Sequence, residues 1–200
     1  MIQRIGAAEL EALTWPLKVD TSSVPAILFS DDAMKKYAHT HILFFTPQKY
    51  VDSSPITLNS LRSAFGTDQA ASEPCFYNQD WYLKEAFASQ PLDGAWHLIR
   101  KDVLEDARAR LPEDIERTLP GEAFPTAVTC AFAFFAWWFH TGGQRLWEHD
   151  FVWCSDRDHN GDRVYVGRYE DPDGVNKNGL NVHRFLSLRK SYSAAPEIVK

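Results

Sequence analysis

One uninterrupted apolar stretch near the middle of the chain constrains the fold more than any other feature. Residues 127–139 read A-V-T-C-A-F-A-F-F-A-W-W-F and contain no charged side chain. A segment that is apolar on every side must be buried, and a membrane span needs roughly 20 such residues. This run is shorter, and it lies between Pro125 and the pair Gly142-Gly143, which are typical of a helix start and a helix end. We therefore predict a buried core helix over residues 124–140.

The composition is that of one domain with a sizeable core. Of the 200 residues, 44% are hydrophobic and 24% are charged, and the net charge is −6. An acidic chain gives no electrostatic reason to expect nucleic acid or an anionic membrane as its partner. Cys75, Cys130 and Cys154 form neither an even set nor a CxxC motif, which favours buried thiols in a reducing compartment. The first residues lack the apolar core of a signal peptide. We expect a single cytoplasmic domain over residues 1–200.

Helical patterns precede residue 142, and strand patterns mostly follow it. Apolar spacing favours helices at 6–14, 101–111 and 112–119, one helical turn at 58–65, and strands at 42–45, 94–100 and 179–189. Strand-forming residues, F-V-W-C and R-V-Y-V-G, also flank a turn after the core helix. The distribution indicates an α+β fold. Helices lie mostly in the first two thirds, and antiparallel strands with a hairpin lie in the last third.

The turn between those two strands, S-D-R-D-H-N-G-D, can be interpreted in two ways. Its carboxylates and Asn-Gly match the start of an EF-hand calcium loop, but position 12, where a bidentate Glu is required, is Gly167. The β-branched and aromatic flanks favour strands, and Asn-Gly between such flanks is a strong hairpin signal. The sequence therefore predicts a hairpin. A weak calcium site remains an alternative, with Asp156, Asp158, Asn160 and Asp162 as candidate ligands.

A succession of motifs resembles one known group of domains. In chain order they are Y-N-Q-D-W-Y, W-H-L-I-R-K-D-V-L, the apolar run, W-C-S-D-R-D-H-N-G-D-R-V-Y-V-G-R-Y, G-L-N-V-H-R and L-R-K. Their order is similar to that of bacterial C-type-lectin-like domains. This group includes the target (variable) proteins of diversity-generating retroelements and formylglycine-generating-enzyme-like domains. The resemblance covers residues 75–192 and leaves residues 1–70 poorly explained. It implies a scaffold whose C-terminal strands and loops present side chains for ligand binding.

Strand alternation adds a prediction about which of these side chains face outward. Leu180 and Val182 share one face of a strand, whereas Asn181 and His183 share the other, and Tyr165 points outward from the preceding strand. Outward Tyr, Arg, His and Asn side chains make a plausible binding surface. The residues expected to contact a protein or other macromolecular ligand are Tyr165, Arg168, Tyr169, Asn176, Asn178, Asn181, His183, Arg184 and Arg189. The chain would then be a retroelement-diversified target protein or an undiversified relative, without a cofactor.

An enzyme is the alternative. It would belong to the formylglycine-generating-like class, or it would be a metal-dependent enzyme that uses Cys154 or the pair His39 and His41. The spacing His39-Thr40-His41 would place two imidazoles on one side of a strand, which suits metal chelation. The sequence contains no Walker A loop, no GxGxxG and no nucleophile elbow. We therefore favour binding without catalysis.

Overall fold

The expected core helix is present. The computed structural model describes residues 2–170, 179–185 and 187–199, and its longest helix is α5, Ala127–Thr141. The Thr126 side chain accepts a hydrogen bond from the backbone N–H of Thr129 at the start of α5, and Gly142 ends the helix in a left-handed conformation with a φ of 70°. Every residue from 127 to 137 is buried, as the uniformly apolar sequence requires. Throughout the described part of the chain, no helix has both the length and the apolar character that a membrane crossing needs.

The first sheet has five strands, three of which come from the N-terminal half of the chain. Its strands, in spatial order, are β1 (Gln3–Ile5), β2 (His41–Phe45), β3 (Trp96–Arg100), β9 (Glu197–Ile198) and β4 (Glu122–Ala123). Strand β1 is parallel to β2, whereas β2 and β3 are antiparallel with Leu43 opposite Leu98. All five residues of β2 are buried, which fits the continuous apolar run I-L-F-F. The strands predicted at 42–45 and 94–100 are confirmed.

The remaining helices are short. They are α1 (Ala7–Ala12), α2 (Asp31–Tyr37), α3 (Leu58–Phe65) and α4 (Pro112–Glu116). The helix predicted at 101–111 is wrong, because that segment contains a three-residue 3₁₀ turn, Glu105–Ala107. The N–H groups of Leu104 and Ala109 donate instead to the carbonyls of Ala194 and Tyr192, at 2.9 and 3.0 Å. Pairing with the distant C-terminal segment therefore overrides the local helical pattern.

The second sheet has four strands, and the predicted hairpin lies at its centre. The spatial order is β7 (Asn181–Arg184), β6 (Arg163–Gly167), β5 (Phe151–Arg157) and β8 (Tyr192–Ser193). Strands β5 and β6 are antiparallel neighbours, with Trp153 opposite Tyr165. The alternating segment 179–189 is extended over a shorter length than predicted, because β7 ends at Arg184. The mixed α and β composition is confirmed, with more of the described strands in the C-terminal half.

The C-terminal sheet is covered on both faces. One face joins the main core, where Val152, Val164 and Val166 are buried together with α5. The other face carries Trp153 and Tyr165, which belong to a second buried cluster that includes Ala107, Ile115 and Phe124 from the segment 104–124. This cover determines which side chains of the hairpin reach solvent.

A glycine at the end of β6 gives a test of this packing. Gly167 has a φ of 132°, and a Cβ built there would lie 2.3 Å from the backbone oxygen of Asp150. We expect Gly167→Ala to lower the free energy of unfolding by about 3 kcal/mol or more, from backbone strain plus the clash. Gly121→Ala is the matched control, since Gly121 has a φ of 76° and no heavy atom within 4 Å of that position. It should cost about 1 kcal/mol. If urea unfolding shows that both variants lose the same free energy of unfolding, the close approach of Gly167 to the Asp150 backbone oxygen is contradicted.

Candidate functional site

Two tyrosines predicted to face a ligand lie inside the protein. Tyr165 is 2% exposed and Tyr169 is 1% exposed. The hydroxyl oxygens of Tyr165 and Tyr192 lie 3.0 Å apart, and the Tyr169 hydroxyl donates to the Glu73 carboxylate at 3.2 Å. Burial raises the pKa of both tyrosines. The outward orientation expected for Tyr165 is wrong, because strand alternation separates two faces but does not reveal that residues 104–124 cover the second one.

The three predicted residues of β7 are half-buried at the surface. Asn181 Oδ1 accepts a hydrogen bond from Gln79 Nε2 at 2.6 Å. The His183 ring stacks on Tyr165 with centroids 5.5 Å apart and an interplanar angle of 10°. Arg184 Nη1 donates to Asp158 Oδ2 at 3.0 Å. The side chains of Asn181, His183 and Arg184 are thus partly exposed to solvent, and each is fixed by a contact with a neighbouring side chain.

The other predicted contact residues are placed differently. Arg189 is exposed. Arg168 is half-buried with a φ of 44°, and its guanidinium lies 6.0 Å from the centre of the Phe151 ring. Asn176 and Asn178 lie outside the described residues.

A tryptophan from a distant loop completes the cluster on β7. Trp81 Nε1 donates to the backbone oxygen of Val182 at 3.0 Å and to Gln79 Oε1 at 3.2 Å. The Arg184 guanidinium lies 5.4 Å from the Trp81 ring centre, within cation–π range. We call this cluster the β7 patch and define it as Gln79, Trp81, Asn181, His183 and Arg184. Trp81 stands in the Y-N-Q-D-W-Y motif that carries the resemblance, but sequence reasoning did not count it among the contact residues.

The protonation state of His183 follows from its surroundings. Burial lowers its pKa, and the charges of Arg184 and Arg189 lower it further. His183 Nδ1 lies 2.8 Å from the backbone nitrogen and 3.1 Å from the backbone oxygen of Arg184. The first contact suits an unprotonated Nδ1 and the second a protonated Nδ1, so the Arg184 backbone can partner either neutral tautomer. The lowered pKa favours the neutral imidazole.

The hairpin carboxylates have structural roles. Asp156 Oδ2 accepts from the backbone N–H of Ala127 at 2.5 Å, so this carboxylate caps α5, although burial raises its pKa. Asp158 Oδ1 accepts from the backbone N–H groups of Asn160 and Asp162, both at 2.9 Å. Gly161 has a φ of 86° and closes the turn by donating to the Asp158 carbonyl. The predicted hairpin is confirmed, with five residues, 158–162, between β5 and β6.

Two other groups in the described residues bring metal-ligating atoms within 4.8 Å of one another. They are Glu85, Asp158 and His159, and Glu148, His149 and Glu170. In the first group, the Glu85 carboxylate accepts from the His159 backbone at 2.9 Å, and its other oxygen lies 2.6 Å from His159 Nδ1. Asp158 also pairs with Arg184, and both glutamates of the second group pair with Arg145. Guanidinium groups and backbone donors already satisfy these carboxylates, so neither group favours a cation.

The residues of the enzymatic alternative are poorly placed for catalysis. Cys154 is fully buried with its sulfur 3.9 Å from that of Cys130, and burial raises its pKa well above the usual thiol value. A buried protonated thiol is a weak nucleophile. The placement of His39 and His41 on one strand face is wrong, because β2 begins at His41 and His39 is exposed in the preceding turn. Burial, with the charges of Arg100 and Lys101, lowers the pKa of His41 to about 4.

One buried histidine that sequence reasoning missed is flanked by two carboxylates. His97 Nε2 lies 3.0 Å from Asp93 Oδ1, and Nδ1 lies 2.5 Å from Glu197 Oε2. Burial opposes the charged imidazole, but these two carboxylates outweigh it and raise the pKa of His97 to about 9. Burial likewise opposes the charge of Asp93, yet the hydrogen bond from His97 lowers its pKa to about 2. The network ties the C-terminal strand β9 to β3. The sequence holds no signal for it, since Glu197 is 100 residues away from His97.

This network predicts a pH-dependent stability. Because the folded-state pKa of His97 is raised, its contribution is fully present below about pH 6.5 and is lost as the pH rises through 9. The depressed pKa of Asp93 adds stability above about pH 4 that is lost as the pH falls through 2. We expect His97→Gln to lower the free energy of unfolding by roughly 2–3 kcal/mol at neutral pH and by much less at pH 10. His39→Gln is the exposed control. A loss independent of pH would refute the ion-pair account.

A calcium titration tests the hairpin assignment. Because backbone donors and Arg184 engage the oxygens of Asp158, and Ala127 engages Asp156, we expect millimolar Ca²⁺ to leave the melting temperature unchanged. A ligand that binds the folded state raises the melting temperature in proportion to the logarithm of its concentration. A rise that grows with the logarithm of the Ca²⁺ concentration in the wild type, and that Asp158→Asn abolishes, would contradict this assignment and restore the calcium site.

The chain was also compared with known proteins. No protein-family model matches it, and neither the curated proteins nor the solved structures contain a match. The likeness to C-type-lectin-like domains therefore stays a prediction that rests on motif order.

Proposed function

We propose that this protein binds a macromolecular partner, without catalysis, through the β7 patch. The observation that carries the proposal is that the side chains of the patch are partly exposed and yet held in fixed orientations. Trp81 is anchored by the Val182 carbonyl at 3.0 Å, and Arg184 is anchored by Asp158 at 3.0 Å. Such anchoring holds the exposed parts of these side chains in one arrangement, which is what a preorganised binding surface requires.

The residue types of the patch suit recognition of another protein. Trp, Tyr and Arg dominate the energetics of protein interfaces, because they combine large contact area with directed hydrogen bonds. A tryptophan that contacts a guanidinium and an imidazole loses little conformational entropy on binding, since neighbours already restrict its rotamers. Preorganisation of this kind raises affinity, because less conformational entropy is lost when the partner binds.

The charges around the patch favour an acidic partner surface. Arg184 lies at the end of β7 and the exposed Arg189 follows it in the chain, whereas the chain as a whole has a net charge of −6. Asp158 has a side-chain exposure of 0%, so its carboxylate supports Arg184 without presenting negative charge to solvent. A local basic patch on an acidic protein steers encounter toward complementary acidic groups.

The proposed role agrees with what the family resemblance implies. In C-type-lectin-like domains of the retroelement-target kind, the C-terminal strands present the ligand-binding side chains on a constant scaffold. Here β7 belongs to the segment that carries the motif G-L-N-V-H-R. We accordingly propose a bacterial C-type-lectin-like scaffold that is related to those target proteins.

Affinity enrichment with matched baits tests the proposed face. Wild-type protein, the double variant His183→Ala/Arg184→Ala and the control Arg117→Ala would be immobilised and exposed to lysate of the source organism. Arg117 is a suitable control because it pairs with Asp114 on α4 and its side chain is 75% exposed. Quantitative mass spectrometry should show a partner that the wild type and Arg117→Ala enrich equally. The double variant should retain at least about tenfold less, since hot-spot losses of 2 kcal/mol or more are common.

The same experiment can contradict the proposal. A partner that the double variant retains at the wild-type level would place the interface elsewhere on the protein. Circular dichroism and thermal melting of the three baits would verify that the alanine substitutions leave the fold intact.

A further inference from the structure

A cavity in the N-terminal part of the chain lies far from the β7 patch in sequence. It has a volume of ≈690 Å³ and lies between α2 and the edge of the five-stranded sheet, where β1 is the outermost strand. Its apolar lining comes from Ile2, Ile27, Met34, Ala38 and Leu43. Small-molecule sites are typically clefts of about 300–1,000 Å³ that are mostly apolar with a few polar groups. The volume and the lining both match that description.

Helix α2, which lies above this cavity, buries little of its own surface. Helix α2 contains no fully buried residue, although Met34 and Tyr37 contact the core from partly buried positions. The segment before it leaves Leu28 70% exposed. A helix that buries so little apolar surface of its own lacks the usual source of helix stability in proteins. A ligand between α2 and the sheet would supply the missing apolar contacts.

The rim of the cavity is charged. Arg4, Lys35 and His39 supply basic groups, and Glu9 and Asp31 supply carboxylates. Glu9 is already engaged, because one of its oxygens accepts from the Gly6 backbone N–H at 2.8 Å. The Arg4 guanidinium lies 3.9 Å from Glu9, a loose contact, and the Arg4 side chain is 56% exposed. Arg4 can therefore turn toward an anion at the mouth of the cavity without breaking a close ion pair.

We propose that this cavity binds a small amphipathic monoanion, with the apolar body between α2 and β2 and the acidic head group on Arg4. The inference is independent of the proposed macromolecular interface, because none of its residues belongs to the β7 patch. It assigns a role to part of the N-terminal region that the resemblance leaves unexplained.

Two dyes that differ by one charge test the proposal with the full-length chain. Anilinonaphthalene sulfonate carries an anionic head group, and phenylnaphthylamine has the same ring system without the sulfonate. Both should bind saturably with an increase in fluorescence. Arg4→Gln should lower the affinity for the sulfonate dye about three- to fivefold and leave the affinity for the neutral dye unchanged, since exposed ion pairs contribute modestly to binding. Ala38→Trp, which fills the cavity, should weaken both dyes at least tenfold.

Matched controls separate the cavity from the rest of the surface. Ala70→Trp adds the same side chain at an exposed position, and Arg117→Gln removes an exposed arginine on α4. Neither should change the binding of either dye. The variant His183→Ala/Arg184→Ala should also bind both dyes normally, so a failure of the proposed interface and a failure of this inference give different results.

A competition experiment decides the question without any variant. Dodecanoate should displace phenylnaphthylamine from the wild type at a concentration at least threefold lower than dodecanol. Three results would overturn the proposal: no saturable dye binding, undiminished binding to a folded Ala38→Trp variant, or equal displacement by dodecanoate and dodecanol.

Discussion

The burial of α5 is the constraint on which the rest of the structure depends. A helix whose residues 127–137 are all buried needs cover on every side, and α3, β1, β5 and β6 each contact it. Phe135 illustrates the closeness of this cover, since its ring stacks on Phe65 at 3.8 Å. The N-terminal 70 residues are therefore part of the same core as the C-terminal hairpin. Asp156 strengthens the arrangement, because a strand of the hairpin supplies the carboxylate that caps the helix.

Local patterns predicted the elements whose stability is local in origin. The apolar run indicated α5, Asn-Gly between β-branched flanks indicated the β5–β6 turn, and I-L-F-F indicated β2. The failures share a different cause. Residues 101–111 have a helical face, but the N–H groups of Leu104 and Ala109 pair with Ala194 and Tyr192. A local sequence pattern does not reveal contacts with residues far along the chain. The burial of Tyr165 beneath residues 104–124 was missed for the same reason.

The candidate site could be predicted in part for the same reason. Alternation identified Asn181 and His183 as outward-facing members of β7, whereas Arg184 interrupts the apolar face and was chosen for the basic character of the segment; all three are half-buried on that strand. It could not supply Trp81, whose hydrogen bond to Val182 spans 101 residues of chain. Nor could it reveal that the hairpin carboxylates are divided between the helix cap of Asp156 and the support of Arg184 by Asp158.

The way Trp81 is attached has a consequence for how the protein can change over evolutionary time. Its indole is anchored on a main-chain carbonyl, an acceptor that every residue type provides. The side chains at positions 181 and 183 can therefore be replaced while this hydrogen bond to β7 is kept, whereas Arg184 is tied to the buried Asp158 carboxylate. In the proposed binding role, substitutions at those two positions would change what the β7 patch recognises while the main-chain attachment of the Trp81 loop stays the same.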